Sequence, residues 1–289
     1  MSSRPPTAGK LPLPELAQMK QRGDRLVMVT AYDYPSGRLA DAAGVDLVLV
    51  GDTAAMVVMG YEATVPATMD EMVLLTRWVS RGAERPLVVG DMPFGSYQVS
   101  DEAAVENAIR MLKEGGADLV KLEGAGPSLS RVEAISDAGI AVLGHVGLTP
   151  QSAMKLGGFK AQGRSADQAR RLYEDALALQ EAGVSALVLE AVPSEVAAAV
   201  TEALSVPTIG IGAGPATDGQ VLVWHDLLGL YEGRSPRFVK RYADLAPEIR
   251  GALERFVADV RAGTFPEERH TYGIPEDELA RFRAAVRAG

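Results

Sequence analysis

Residues 43–52 read AGVDLVLVGD: a small residue and a glycine, then an apolar run, then an acid. Glycine just past a helix end supplies the left-handed residue that caps it, and a continuous apolar run is typical of a strand buried on both faces. The segment therefore predicts a helix that feeds a parallel strand. The same order recurs and ends on a polar side chain in three further places: Gly115-Gly116 to Glu123, Ala138-Gly139 to His145, and Ala182-Gly183 to Glu190.

Eight runs along the chain have the composition of strands: 26–31, 47–51, 87–90, 119–122, 140–144, 186–189, 206–211 and 221–224. Helical patterns lie between them at 70–80, 101–113, 129–138, 166–181 and 193–204. This alternation predicts a parallel sheet, and eight strands in about 250 residues match a (β/α)8 TIM barrel. A doubly wound open sheet is the competing architecture.

The glycine-rich run 210–215, GIGAGP, bears on that choice. The dinucleotide fingerprint G-x-G-x-x-G needs a third glycine where this chain has Pro215, which favours the barrel. The loop either exposes backbone N–H groups to a carboxylate or phosphate, or is a tight turn.

Composition excludes several functions. Lys plus Arg number 29 against 38 for Asp plus Glu, giving a net charge of −9, so neither nucleic acid nor an anionic membrane is expected as a partner. The sequence contains no run of about 18 apolar residues, so no membrane-spanning helix is expected. The chain has no cysteine, which excludes thiolate catalysis and Cys-ligated metals and fits a cytoplasmic protein.

The ends of the chain differ from its middle. Residues 1–14 carry four prolines and no apolar core, which predicts a flexible tail ahead of a single catalytic domain over 15–270. A C-terminal helical extension is expected over 271–289. Two apolar stripes would cover either the barrel wall or a subunit interface: Ile249, Leu253, Phe256, Val257 and Val260, then Leu279, Phe282 and Val286.

Parallel strands of a barrel end at one mouth, so their terminal side chains should meet there. Lys121 and Glu123 are two residues apart and point to the same side of their strand. Asp52 and Asp91 each follow a glycine at a strand end. With Glu123 they form an oxygen-rich cluster suited to Mg²⁺. The alternatives are a salt bridge that plugs the barrel and aspartates that cap turns or helices.

Two further strand ends carry proton-transfer groups. Glu190 is either a general base at the mouth or a cap of the next helix. His145 either hydrogen-bonds a substrate or satisfies buried backbone groups. His225 and His270 carry less signal, because nothing in the sequence gives them partners at a strand end.

Several strings resemble ketopantoate hydroxymethyltransferases, in order from about Leu16 to His270: TAYDY at 30–34, GDT at 51–53, DMPF at 91–94, VKLEG at 120–124, GHVGLTPQ at 144–151 and IGIGAG at 209–214. The resemblance implies a barrel of the phosphoenolpyruvate-mutase type and a cytoplasmic homo-oligomer, a decamer. It also implies the first committed step of pantothenate synthesis.

The resemblance further implies transfer of the one-carbon unit of 5,10-methylenetetrahydrofolate to 3-methyl-2-oxobutanoate, giving 2-dehydropantoate and tetrahydrofolate. It assigns Mg²⁺ to Asp52, Asp91 and Glu123, the 2-oxoacid to Asp52, Thr53, Asp91 and Lys121, and the proton acceptor to Glu190. Chemistry agrees: a Lewis acid makes the C–H beside the keto group more acidic, Lys121 stabilises the enolate oxygen, and Glu190 takes the proton.

The chain departs from the family at residues 51–55, which read GDTAA where the family reads Gly-Asp-Ser-Leu-Gly. Threonine keeps the hydroxyl, but its methyl group and the lost glycine change the shape of the substrate site. Two other functions compete: a related Mg²⁺-dependent C–C lyase or mutase acting on another 2-oxoacid, and a non-catalytic barrel used for assembly or ligand sensing. The lack of cysteine argues against the lyase branch, whose members carry a catalytic cysteine.

Overall fold

This computed structural model describes residues 9–154, 157–231 and 236–287. Within them, eight parallel strands close into a barrel in sequence order, and the last strand pairs with the first. The strands are β1 Leu26–Thr30, β2 Leu47–Val50, β3 Leu87–Asp91, β4 Leu119–Glu123, β5 Ala141–Gly147, β6 Ala186–Glu190, β7 Thr208–Ile211 and β8 Gly219–Leu222. The TIM-barrel prediction is confirmed.

The described residues also form eleven α-helices: α1 Glu15–Arg22, α2 Tyr34–Ala43, α3 Ala54–Val57, α4 Met69–Gly82, α5 Asp101–Lys113, α6 Leu129–Asp137, α7 Ala166–Glu181, α8 Ser194–Ala203, α9 Trp224–Leu227, α10 Leu245–Ala262 and α11 Glu276–Arg287. Gly44 ends α2 with φ 84° and donates its N–H to the carbonyl of Ala40, as a left-handed cap does. The other glycines of the repeat share positive φ: Gly116, Gly139 and Gly183.

The core has an inner and an outer part, divided by the alternation of side chains along each strand. On β2, Leu47 and Leu49 pack inside the barrel, whereas Val48 and Val50 pack against the surrounding helices. Three apolar residues at the start of the described chain join the inner cluster: Leu11, Leu16 and Met19. Apolar side chains therefore fill the inside of the barrel, and this packing holds the residues at the C-terminal ends of the strands in place.

The eighth strand differs from the prediction of 221–224. Strand β8 begins at Gly219, and Trp224 already belongs to α9. A Cβ at position 219 would lie 2.6 Å from the carbonyl oxygen of Leu26, so glycine permits the close approach of β8 to β1. The predicted alternation also fails here, because residues 212–218 join β7 to β8 without a helix. The prediction for this strand relied on an apolar run, and it was wrong because β8 begins with Gly219 and Gln220, which are not apolar.

The chain forms two compact units, Met1–Tyr242 and Ala243–Gly289. The second contains α10 and α11, and the apolar stripe of α10 is exposed, with Leu253 at 59% and Phe256 at 53%. The sequence-based boundaries at residues 14 and 270 stay predictions. In the part of the chain that the structure describes, no helix is long and apolar enough to cross a membrane.

Candidate active site

The inward-facing positions of four neighbouring strands change from apolar to polar at the C-terminal end of the barrel. Each strand begins with inward apolar residues, such as Leu87 and Val89 on β3. Side chains alternate with a period of two, and the last inward side chains of these strands are charged groups or imidazole. These are Asp91 on β3, Lys121 and Glu123 on β4, His145 on β5 and Glu190 on β6.

Together with Asp52, which follows β2, these side chains form one continuous series that we call the mouth arc. The Asp52 backbone N–H donates to Asp91 Oδ2 over 3.1 Å, and Lys121 Nζ donates to both Asp91 oxygens at 2.8 Å. Lys121 Nζ also lies 3.6 Å from Glu123 Oε1. The structure therefore brings all the predicted carboxylates of β2 to β4 to one place around Lys121.

His145 extends the arc to the predicted base. Its Nδ1 lies 3.4 Å from Glu123 Oε1, and its Nε2 lies 3.2 Å from Glu190 Oε2. Both are ion-pair contacts, and neither ring nitrogen of His145 has the geometry of a hydrogen bond. Burial and Lys121 each lower the pKa of His145, but Glu123 and Glu190 outweigh them and raise it to about 9. The imidazole therefore lies between two carboxylates that favour its protonated form.

The buried members of the arc are three carboxyl groups and two basic side chains, and each shifts the pKa of its neighbours. Burial raises the pKa of Asp52, and the charge of Asp91 raises it further. Burial also raises the pKa of Asp91, against the opposing effect of Lys121. Burial raises the pKa of Glu123 too, but Lys121 and His145 bring it below its ordinary value. For Lys121, burial lowers the pKa, yet the surrounding carboxylates raise it above the usual lysine range.

This donor set fits an open Mg²⁺ site. Among the described residues, no three His, Cys, Asp or Glu side chains form a ready-made metal cage. Mg²⁺ does not require one, since it is usually held by one or two carboxylates together with water and substrate. The charge of Asp91 acts on buried Asp52, and buried Glu123 Oε1 makes ion-pair contacts with Lys121 and His145 but no hydrogen bond. Interacting buried acids and a carboxylate oxygen without a hydrogen bond are suited to a hard cation.

Two buried residues outside the sequence-based site complete the polar contacts. Gln151 donates its side-chain amide to Asp52 Oδ2 over 3.0 Å and its backbone N–H to Glu123 Oε2 over 3.0 Å. Tyr97 donates its hydroxyl to Gln151 Oε1 over 2.7 Å. Gln151 ends the string GHVGLTPQ, so a signal for it existed, whereas nothing in the sequence distinguished Tyr97.

The sequence of the chain was compared with known protein families and proteins. The sequence profile of ketopantoate hydroxymethyltransferase matches residues 10–268. The 3-methyl-2-oxobutanoate hydroxymethyltransferase of Moorella thermoacetica is 57% identical over 91% of this chain and 98% of its own length. The corresponding protein of Heliobacterium modesticaldum is 53% identical over 94% and 98%. The chain belongs to the ketopantoate hydroxymethyltransferase family. The sequence-based assignment to a hydroxymethyl-transferring enzyme is thereby confirmed.

A solved structure supports the fold alone. Phosphoenolpyruvate phosphomutase from Streptomyces platensis subsp. rosaceus superposes with a TM-score of 0.58 at 15% identity, over 96% of this chain and 99% of that one. This likeness agrees with the closed (β/α)8 barrel and shows no more than the fold.

The departure from the family pattern at residues 51–55 has a simple structural setting. Thr53 precedes the short helix α3, and its Oγ1 lies 2.8 Å from the Tyr32 hydroxyl. Ala55 lies within α3 and does not have positive φ; among described non-glycine residues only Ala191 does. The backbone therefore does not require the family glycine. His225, which carried little signal, lies beside this pair, with its ring 5.5 Å from that of Tyr32.

Proposed function

We propose that this enzyme transfers the one-carbon unit of 5,10-methylenetetrahydrofolate to 3-methyl-2-oxobutanoate, forming 2-dehydropantoate and tetrahydrofolate for pantothenate biosynthesis. The mouth arc is the observation that carries the mechanism. It places a carboxylate at each end, Asp52 and Glu190, with the buried cation of Lys121 between them. Such an arrangement suits removal of a proton from a carbon whose neighbouring oxygen becomes negative.

Five residues of the arc, all except His145, then have a role. Asp52, Asp91 and Glu123 would hold Mg²⁺, which when bound supplies the Lewis acidity that makes the C3–H of the oxoacid acidic. Thr53 and Lys121, with the two aspartates, would bind the oxoacid. Glu190 accepts the C3 proton, and its 17% side-chain exposure leaves it open to the mouth. The carbanion at C3 attacks the folate methylene carbon, and both bonds from that carbon to folate N5 and N10 break. Water supplies the hydroxyl oxygen and one proton, and with the proton taken from C3 this completes the two N–H groups of tetrahydrofolate.

The decisive experiment is proton exchange at C3 of 3-methyl-2-oxobutanoate in deuterated water, without folate. We expect the methyl doublet in the proton NMR spectrum to collapse only when both enzyme and Mg²⁺ are present, because a C3 deuteron removes the splitting. Chelation with EDTA is the control. A folded protein that gives no exchange with Mg²⁺ would overturn the mechanism. Exchange without tetrahydrofolate formation in the complete assay would overturn the choice of one-carbon donor.

Gly147 gives a prediction about the position of the base. Gly147 has φ 98°, and a Cβ there would lie 2.3 Å from the backbone oxygen of Glu190. Gly147→Ala should therefore displace Glu190 and lower kcat by about 100-fold, the cost of a misplacement near 1 Å. The matched control is Gly139→Ala, because Gly139 also has positive φ but open space around its Cβ position. Steady-state kinetics should show a loss of kcat in Gly147→Ala alone; equal kcat in both variants would contradict the prediction.

Assembly and location stay predictions that rest on the family resemblance. We propose a homo-oligomer, a decamer, in the cytoplasm, with small-molecule 2-oxoacid and folate as its ligands. The exposed apolar stripe of α10 is compatible with a subunit interface.

A further inference from the structure

We infer that Gln151 is a positioning residue that holds the carboxylates of Asp52 and Glu123 in the orientation needed for a divalent cation. The inference rests on the proposed metal site and assigns a role to a residue outside the arc. Gln151 lies in the short 3₁₀ turn Pro150–Ser152 after β5, and only 6% of it is exposed. Its contacts reach residues that follow β2 and β3 and the last residue of β4.

The side-chain amide has one sensible orientation. Its Nε2 donates to Asp52 Oδ2 over 3.0 Å and to the carbonyl oxygen of Met92 over 2.9 Å. A flipped amide would set Oε1 against these two acceptors, which cannot donate. On the other side, Tyr97 accepts the backbone N–H of Glu123 over 3.2 Å and donates its hydroxyl to Gln151 Oε1. Tyr97 and Asp52 therefore fix the amide from opposite sides.

The same residue controls the second carboxylate through its backbone. The Gln151 N–H donates to Glu123 Oε2 over 3.0 Å. Gln151 thus binds one oxygen of each acid, Asp52 Oδ2 and Glu123 Oε2, and the other oxygens, Asp52 Oδ1 and Glu123 Oε1, lie outside its network. Outer hydrogen-bond partners of this kind orient metal ligands, and their loss commonly costs 10–100-fold in metal affinity.

Electrostatics explains why an amide suits this position. Asp52 and Glu123 repel each other in a buried site, and Gln151 places N–H dipoles against both without adding a charge. Methionine has a similar length and apolar volume but cannot donate. Gln151→Met should therefore leave the barrel folded while Asp52 loses the donor that fixes its side chain.

The test is Mn²⁺ binding, followed by electron paramagnetic resonance of free Mn²⁺ and by calorimetry, with no substrate present. We expect Gln151→Met to raise the Kd for Mn²⁺ by about 10–100-fold. The matched control is Gln180→Met, since Gln180 Oε1 accepts from the backbone N–H groups of Ser205 and Val206 and has no contact with the arc. That variant should bind Mn²⁺ as the unchanged protein does.

The outcomes separate the inference from the proposed function. If the unchanged protein binds Mn²⁺ and Gln151→Met binds it equally well, Gln151 is a packing residue and the inference is wrong. If the unchanged protein binds no Mn²⁺, the metal site itself is wrong and both proposals fail. If Gln151→Met does not fold, Tyr97→Phe provides the test. This variant removes the hydroxyl that donates to Gln151 Oε1, and it should also raise the Kd for Mn²⁺. An unchanged Kd would overturn the inference.

Discussion

Replacing Glu190 with glutamine is expected to slow C3–H exchange in 3-methyl-2-oxobutanoate by about 10²–10⁴-fold, the contribution of a positioned general base. Glutamine keeps the shape of the side chain and its contact with His145 Nε2, which lies 3.2 Å from Glu190 Oε2. It lacks the lone-pair basicity needed to accept a proton. The measurement is the NMR exchange rate at saturating Mg²⁺ and substrate.

Two controls separate proton transfer from damage to the site. Glu195→Gln changes an exposed acid in the first turn of α8 and should leave the exchange rate unaltered. Mn²⁺ affinity of Glu190→Gln should equal that of the unchanged protein, because Glu190 is separated from Glu123 by His145. An exchange rate close to normal in Glu190→Gln would assign proton removal to another group.

Much of the fold was predictable because it is encoded locally. The Gly44 cap, the apolar run after it and the terminal acid occupy consecutive positions, so the pattern is visible without tertiary information. Strand periodicity also placed Lys121 and Glu123 on one side, and the structure confirms this, since both contact each other inside the barrel. The predicted strand ends were short by one to three residues at β3 to β6, because the polar terminal residues continue the strand hydrogen bonding.

The contacts that join the site could not be predicted, because they depend on long-range packing. Gln151 and Asp52 are 99 residues apart, and Tyr97 and Gln151 are 54 apart. A lone buried glutamine or tyrosine has no periodic signature. The role of His145 was undecided for the same reason: only the register that pairs β4 with β5, and Glu123 with His145, shows which acid it faces.

Replacing Lys121 with methionine is expected to lower the free energy of unfolding by about 3–5 kcal/mol, because removal of one partner leaves buried charges uncompensated. Lys121 is 4% exposed and donates to both oxygens of Asp91. Its loss should also slow C3–H exchange by about 10²–10³-fold, as for other single groups that stabilise a developing negative oxygen. Denaturant unfolding in EDTA measures the first effect, so that no added metal compensates, and C3–H exchange with Mg²⁺ measures the second.

The pH dependence of the stability loss in Lys121→Met, compared with a control variant at Lys20, distinguishes an electrostatic effect from a packing defect. Burial already raises the pKa of Asp52 and Asp91, so the folded state gains protons more readily than the unfolded state. Stability from such groups is present at low pH and is lost as the pH rises through the raised pKa. The loss in Lys121→Met should therefore be largest at neutral pH and shrink towards acidic pH, whereas a packing defect would be independent of pH. Lys20→Met is the control: its partner Asp218 still accepts from the backbone N–H of Thr208 over 2.8 Å, so this variant should lose less stability and retain full exchange activity.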